Sequence, residues 1–316
     1  MEYRRLGRTD LFVSRLCFGS LTVSPLQANL PGREAARVLR YALESGVNFV
    51  DTAELYANYD QIRAALVGIS DRVVVATKCY AYRRDQMENS LGYALRALGR
   101  DYIDIFMLHE QESVLTLAGH REALEYLVEA REKGVIRAVG ISTHHVAGVE
   151  AAAGDPDIQV IHPIVNRCGI GIRDGDAADM VAVIRRAVKN GKGVYGMKAL
   201  GGGHLLDDPE EALRFVLSCT EIASVAVGMQ SVLEVEYNLR LFSGLSVPEG
   251  LRAILRRQPR RLLVEDWCRA CGECVKRCSA GALYIGEDGR ATARPAVCNL
   301  CGYCAAVCPE FAIKVI

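Results

Sequence analysis

The sequence predicts an α/β chain: a (β/α)8 TIM barrel followed by a small, cysteine-rich α+β domain. Two observations carry this. Short β-branched runs alternate eight times with amphipathic helical stretches, and eight of the twelve cysteines lie between Cys268 and Cys308. Length agrees, since 316 residues hold one large and one small domain at roughly 100–200 residues each. The expected boundaries are 1–245 for the barrel, 246–262 for a linker with a short helix, and 263–316 for the second domain.

The elements follow in order. Tyr3–Ser14, with Gly7-Arg8-Thr9-Asp10 in its middle, reads as a hairpin ahead of the first barrel strand. Strand runs then recur at Ser14–Phe18, Val47–Asp51, Val73–Lys78, Ile103–His109, Ile136–Ser142, Ile158–His162, Gly193–Lys198 and Ala223–Gly228. They are apolar on both faces, as buried parallel strands are. Between them, Arg33–Glu44, Gln61–Val67, Asp85–Leu98, His120–Lys133, Val146–Ala152, Ala177–Lys189, Glu210–Leu217 and Leu233–Leu241 carry apolar residues at i, i+3, i+4 spacing. Asp85 and Asp176 stand where helix N-caps or first-turn acids belong. Eight strand–helix pairs fit a barrel; a doubly wound open sheet competes, and counting strands does not exclude it.

Composition excludes several function classes. Lys+Arg and Asp+Glu are both 38, so the chain as a whole is neither a basic nucleic-acid binder nor an acidic protein. Charged residues interrupt every apolar run before it is long enough to span a bilayer, and Met1-Glu2-Tyr3-Arg4-Arg5 leads into no signal-peptide core. The expected location is cytoplasmic, with no membrane or nucleic-acid partner. No strand is followed by a G-x-G-x-x-G fingerprint, so a Rossmann nucleotide site is unsupported; Gly201-Gly202-Gly203 lacks the spacing.

In a barrel, chemistry sits at the C-terminal ends of the strands. Three consecutive strand ends carry polar residues: Asp51 with Tyr56 five residues on, Lys78, and His109. Singly, each has a bland explanation as a cap, a solvated lysine or a core histidine. Together they suggest an acid–base cluster. A lysine held by a carboxylate beside a phenol favours the phenolate and makes the tyrosine a usable acid near neutral pH.

At this point the sequence resembles the aldo-keto reductase superfamily. The motifs are Asp51-Thr52-Ala53-x-x-Tyr56, Ala76-Thr77-Lys78, Asp101-Tyr102-Ile103-Asp104 with Leu108-His109, and Gly134 through Ser142. The resemblance implies a carbonyl–alcohol oxidoreductase with a small-molecule substrate and a nicotinamide cofactor across the barrel mouth. It makes Tyr56 the general acid, Lys78 and Asp51 the groups that lower its pKa, and His109 the group that orients the carbonyl. The implied cofactor positions are Gly19, Ser20, Ser142, Thr143, Gln159 or His162, Met197, Lys198, Leu200, Gly201, Gly228, Gln230 and Asn238. Thr143 and Met197 depart from the family's usual asparagine and aromatic ring. No Lys or Arg lies between Gly228 and Asn238, where members that grip a 2′-phosphate carry basic residues, so NADP and NAD both remain open.

The cysteine-rich segment carries its own signature. Cys268, Cys271, Cys274 and Cys278 have the spacing C-x2-C-x2-C-x3-C, and Cys298, Cys301, Cys304 and Cys308 repeat it thirty residues later. This is the bacterial two-cluster ferredoxin pattern, in which the fourth cysteine of each copy serves the other cluster. One [4Fe–4S] cluster is then expected on Cys268, Cys271, Cys274 and Cys308, and the other on Cys298, Cys301, Cys304 and Cys278. Two zinc sites are the rival, although zinc motifs pair C-x2-C units without a third and fourth cysteine in the run. Arg256, Arg257, Arg260 and Arg261 read as a solvated helix end and linker, with docking of an acidic electron carrier as the alternative. Cys17, Cys79, Cys168 and Cys219 read as buried packing residues.

The whole chain then reads as an oxidoreductase that joins carbonyl chemistry to one-electron transfer. Hydride carries two electrons and a [4Fe–4S] cluster moves one, so a flavin or substrate radical must stand between them, and no flavin motif is visible. The alternatives are a nicotinamide-dependent reductase with structural or sensory clusters, and an electron-transfer module whose barrel only docks a partner. A further expectation is geometric: the last barrel helix delivers the chain to the bottom of the barrel, so Ser243–Leu263 must climb back if the clusters are to face the mouth.

Overall fold

A computed structural model describes residues 1–298 and 300–316; Asn299, inside the second cysteine repeat, lies outside the described residues. Strands β1 (Tyr3–Arg5) and β2 (Phe12–Ser14) form an antiparallel hairpin. The next eight are β3 (Leu16–Gly19), β4 (Phe49–Asp51), β5 (Val74–Cys79), β6 (Ile103–Leu108), β7 (Ile136–Thr143), β8 (Val160–Pro163), β9 (Gly193–Met197) and β10 (Ser224–Val227). All pair in parallel, and β10 returns to β3, with Val225 opposite Leu16, so the sheet closes. The closure settles the choice between a barrel and an open sheet.

Helices α1 (Gly32–Glu44), α2 (Tyr59–Leu66) and α3 (Arg84–Leu98) follow β3, β4 and β5; α4 (Val114–Gly119) and α5 (Arg121–Glu132) both follow β6. Then come α6 (Val146–Gly154), α7 (Ala177–Lys189), α8 (Pro209–Ser218) and α9 (Val232–Phe242). The eight expected helices are present, and α4 is additional. The sequence hides it because Val114 and Leu115 are 67% and 79% exposed, so no apolar face marks it. It starts where Thr116 Oγ1 accepts the Ser113 N–H at 3.0 Å, a local cap rather than a packing decision.

Two apolar layers follow from this wrapping. The larger lies between strands and helices. The smaller fills the barrel interior with Cys17, Phe49, Ile105, Met107 and Tyr195, and the hairpin residues Leu6, Leu11 and Val13 plug its bottom. Gly7 at the hairpin tip has φ +59°, and a Cβ there would lie 2.2 Å from Gly193 N, so the plug requires glycine. At the barrel bottom Asp104 is buried between Arg100 at 3.0 Å and Arg137 at 2.8 Å, and it also accepts the Val75 N–H. Cys17, Cys79 and Cys219 are buried as expected; Cys168 is exposed, in the loop after β8, where no strand or helix covers it.

After α9 the chain forms α10 (Glu249–Arg256) and β11 (Leu262–Val264), and does climb back. Its terminal segment holds α11 (Glu273–Arg277), β12 (Leu283–Ile285), β13 (Ala291–Ala293), α12 (Tyr303–Ala306) and β14 (Ile313–Val315), with β11 paired to β14 and β12 to β13. The sequence repeat is also a backbone repeat. Ala270, Gly272 and Gly281 have positive φ, and so do Leu300, Gly302 and Phe311, each thirty residues on. Cys278 Sγ accepts the Ala282 N–H at 3.2 Å, as Cys308 Sγ accepts that of Ala312 at 3.3 Å. This segment sits on the barrel mouth. A Cβ on Gly203, in the turn after β9, would lie 2.0 Å from Val315 O, and His204 Nε2 meets Ile313 O at 2.9 Å. The Phe311 ring fits between Gly171 and Gly202, whose Cβ atoms would each be 3.0 Å from it. Where the first repeat has Gly281, Phe311 holds φ +47°, a conformation costing an L-residue about 1 kcal/mol.

The ion pairs at the barrel bottom give a stability test. Asp104→Ala should cost about 3–5 kcal/mol in denaturant unfolding, because two arginines lose their shared carboxylate in a buried place. A loss below about 1 kcal/mol would mean the arginines find other partners.

Candidate active site and cysteine cluster

A cleft of about 590 Å³ opens at the barrel mouth. Asp51 and Tyr56 lie in one part of its wall, and Gly228, Gln230, Glu234 and Asn238 in another. Lys314, Val315 and Ile316 of the terminal segment also line it. The cleft is therefore shared between barrel and terminal segment.

Asp51 ends β4 and is the hub of the reactive part. Lys78 Nζ donates to Asp51 Oδ1 at 2.8 Å, to Oδ2 at 2.9 Å and to Thr52 O at 2.8 Å, so all three ammonium protons are used. Tyr195 OH donates to Asp51 Oδ1 at 2.9 Å, and His162 Nε2 lies 3.6 Å from the same oxygen. The His162 ring stacks on Tyr195, centroids 3.9 Å apart. Tyr56 stands in the 3₁₀ turn Glu54–Tyr56, which Ala57 closes in a left-handed conformation. The turn is held in place by Asn58, which accepts from Thr52 Oγ1 at 2.8 Å and donates to Ser20 O at 3.0 Å. Tyr56 faces His109, ring centroids 6.2 Å apart, and Lys78 Nζ lies 5.1 Å from its centroid.

The expected lowering of the Tyr56 pKa is not what this arrangement gives. Burial, then the negative charges of Asp51 and Glu110, push the phenol well above its ordinary value. Lys78 is spent on Asp51 and Thr52 and has no proton left for the phenol oxygen. Tyr56 is thus held as the protonated phenol. Burial, with the positive charge of Lys78 and Lys198, drives His109 well below its usual range, so it is a neutral imidazole near pH 7. Its Nδ1 is buried without a partner among the described residues. Its ring stacks on Tyr80 at 4.4 Å. A neutral imidazole, a protonated phenol and a carboxylate-bound ammonium converge on the mouth; that set can orient a carbonyl and give it a proton.

The residues expected to hold a cofactor divide. Gly19, Met197, Lys198, Leu200, Gly228, Gln230 and Asn238 line the cleft. Gln159 does not: it precedes β8 at the barrel bottom, and its Oε1 accepts from Arg131 at 3.1 Å. His162, one residue before the end of β8, does line the cleft. Ser142 Oγ accepts the Glu110 N–H at 2.9 Å and Thr143 Oγ1 that of His145 at 2.9 Å, so both hydroxyls support loops. Gly201 is buried against Leu205, while Gly202 and Gly203 reach the cleft. Ser20 Oγ is buried with no partner among the described residues.

The far end fits a polar ligand. Asn238 Nδ2 donates to Glu234 O at 2.8 Å, leaving Asn238 Oδ1 buried and unpaired among the described residues. A Cβ on Gly228 would lie 1.7 Å from Thr22 Oγ1, so the chain there must be bare backbone. Arg256 and Arg260 border this cleft. Arg256 ends α10 and is 68% exposed, and Arg257 and Arg261 are exposed as well, so the expected solvated helix end is present beside the cleft.

Sequence reasoning missed Tyr195 and His144. Tyr195 had a signal: it lies two residues before Met197 on one strand and so shares its face. His144 had none, since only folding brings its Nε2 to 2.7 Å from Lys198 Nζ.

In the terminal segment, Cys268, Cys271, Cys274 and Cys308 line one small cavity, the crossed set the spacing predicts. Burial and these three neighbours raise the Cys274 thiol pKa. The Cys304 thiol is pushed up to about 12 by burial, with Cys301 and Cys274 nearby. Cys268 Sγ accepts the Ala291 N–H at 3.5 Å, and N–H···S bonds of this kind also reach Cys278 and Cys308. Among the described residues no group of three or more His, Cys, Asp or Glu side chains is placed to hold a metal ion.

The aldo/keto reductase family profile matches residues 15–214, more than half of the sequence. The chain belongs to that family and is an oxidoreductase of the aldo-keto reductase type. It is 26% identical over 282 residues to L-galactose dehydrogenase of Arabidopsis thaliana, covering 76% of this chain and 87% of that protein. It is 26% identical over 184 residues to 6-dehydroglucose reductase of Novosphingobium aromaticivorans, covering 49% and 59%. The fold is similar to that of an aldo-keto reductase from Bacillus halodurans in its holo form, at TM-score 0.67 and 23% identity, over 81% of this chain and 96% of that one. No helix among the described residues is long and apolar enough to cross a membrane.

The histidines make stability pH-dependent. Burial pulls the His162 pKa from 6.5 to about 4. The unfolded chain then binds the proton more tightly, so stability is full above pH 6.5 and is lost as pH falls towards 4. His109 and His144 act in the same direction. His162→Gln should flatten the acid limb by up to about 3 kcal/mol, read from unfolding free energies at pH 4.5 and 7.5. An unchanged slope would mean that His162 titrates normally in the fold.

Proposed function

We propose that this chain interconverts a small-molecule carbonyl and alcohol at the barrel mouth and exchanges electrons through two [4Fe–4S] clusters in its terminal segment. The observation that carries the proposal is the shared cleft: Asp51 and Tyr56 and the terminal strand β14 wall the same space. The division into barrel (1–245), linker (246–262) and ferredoxin-type module (263–316) belongs to this reading.

The cleft residues from Gly19 through Asn238 would hold a nicotinamide dinucleotide, which supplies hydride when bound. NADP is compatible with Arg256 and Arg260, and NAD with Glu234 at the same end. Tyr56 gives its proton to the carbonyl oxygen and recovers it in the reverse direction. His109 holds that oxygen with a neutral N–H. Lys78 and Asp51 keep each other ionised and fix the loop from which Tyr56 projects. The names of the two relatives describe chemistry on sugars, which suits a polar hydroxyl or carbonyl substrate here. A flavin or a substrate radical would bridge hydride and one-electron chemistry.

The cysteine sets given above would hold the clusters, with backbone N–H groups on Cys268, Cys278 and Cys308 placed to tune their potentials. A second reading, that the clusters serve structure, is favoured by one observation: the terminal segment's own core is small and includes Cys274 and Cys304. An electron-carrier protein is the expected partner only under the first reading.

Tyr56→Phe should lower kcat for a carbonyl substrate by roughly 10²–10⁴-fold while leaving dinucleotide affinity in place. Unchanged turnover would remove Tyr56 from the mechanism. Protein purified without oxygen should contain about eight iron and eight acid-labile sulfide per chain, four of each per cluster. Stoichiometric zinc without sulfide would replace the clusters with zinc sites.

A further inference from the structure

Two lysines meet where the terminal segment covers the barrel, and among the described residues neither forms an ion pair with a carboxylate. Lys198 follows β9 in a left-handed conformation, φ +59°, and is half-buried in the cleft wall. Its Nζ meets His144 Nε2 at 2.7 Å. Lys314 lies in β14 and is 4% exposed. Its neighbour Ile313 faces the terminal segment's core, so strand alternation turns Lys314 towards the barrel. There its stem would meet a Cβ on Gly202 at 3.0 Å. Its Nζ donates to Phe311 O and lies 3.2 Å from the Phe311 ring centroid. Lys198 Nζ lies 4.8 Å from the same ring.

Among the described residues no ion pair reaches either ammonium, although 27 others form across the protein. Glu110 is held by Tyr80 at 2.7 Å and faces His144 at 3.5 Å. Glu265 is buried beside the seam and forms no ion pair with either lysine, although it feels the positive charge of both. Burial lowers Lys198 to about 8 and Lys314 well below its ordinary value; the nearby charges of Glu110 and Glu265 oppose this only in part, and neighbouring cations add to it. Sequestering two cations beside one ring with no carboxylate in ion-pair contact is costly, and an anion bound in the cleft beside them would offset part of that cost.

We propose that Lys314 of the terminal strand and Lys198 of the barrel together seat an anionic group of the small molecule bound in the cleft, so that the terminal segment is part of the ligand site. The proposal rests on the reading of the cleft as a dinucleotide site, but it concerns the anion seat alone. The anion has two sources in that reading, the diphosphate of the dinucleotide or a carboxylate or phosphate on the substrate. Either way, the terminal segment does more than carry clusters. It closes a binding site that the barrel leaves open, and ligand occupancy and docking of the segment are coupled.

The test uses full-length protein, purified anaerobically, with Lys314→Met and Lys314→Arg variants. Binding is read without turnover, by NADH fluorescence and by thermal shift with inorganic pyrophosphate or malonate. In wild type, pyrophosphate should raise the melting temperature and compete with NADH. Lys314→Met should melt no lower than wild type without ligand, since it removes an unpaired buried charge. If the seat holds the diphosphate, Lys314→Met should bind pyrophosphate and NADH at least ~10-fold more weakly, and Lys314→Arg should recover most of the loss. If NADH and pyrophosphate binding are unchanged but the malonate shift is lost, the seat belongs to the substrate's anion. If Lys314→Met binds all three as wild type does, the anion seat is wrong. If wild type binds pyrophosphate through Lys314 but no nicotinamide dinucleotide, the seat stands and the dinucleotide reading falls.

Discussion

The site depends on one buried ion pair. Asp51 and Lys78 sit at adjacent strand ends inside a closed barrel, 6% and 1% exposed at the side chain. Neither would be tolerable there alone, because an unpaired buried charge costs several kcal/mol. Paired and bonded to Thr52 O, they are affordable, and they fix the rest. The Asp51 carboxylate collects Tyr195 and His162 on its free side. The ammonium stands beside Tyr56 and adds to the burial that keeps His109 neutral. The barrel supplies the condition for this, since parallel strands in register bring Asp51 opposite Ala76 and place Lys78 two residues further up the neighbouring strand.

The second constraint is the seam over the mouth. Gly171, Gly202 and Gly203 leave room for the Phe311 ring and for the backbone of β14. Arg173 of the barrel reaches Glu310 at 3.3 Å, next to the cysteine-proline pair that ends the second repeat. Cys308, which lines the small cysteine cavity, lies three residues from Phe311 along the chain. The strained backbone at Phe311 is repaid by this docking, and it marks the point where the internal repeat gives up its symmetry to meet the barrel.

Much of this was legible in the sequence. The eight strand–helix pairs, the acid–base residues at three strand ends and the crossed cysteine set were all read from spacing, because each follows from a local period or repeat. What was not legible depends on tertiary distance. Gln159 and His162 are three residues apart, and only the point where β8 starts decides which of them reaches the mouth. The Tyr56 pKa was expected to fall because a lysine was near; folding spends that lysine on Asp51 and leaves the phenol in a desolvated, negative surrounding. Arg256 and Arg260 border the cleft, and nothing local in the sequence says that the helix end and linker carrying them run beside it. The lysine seat pairs residues 198 and 314, and no sequence period connects them.

The central claim is that cleft and clusters form one redox unit. Stopped-flow mixing of dithionite-reduced protein with oxidised dinucleotide or a carbonyl substrate, without oxygen, tests it most directly. The account predicts that the bleached cluster absorbance returns at a rate at least equal to turnover, and that Cys271→Ala abolishes the return. Clusters that stay reduced while the barrel turns over at its normal rate would contradict it.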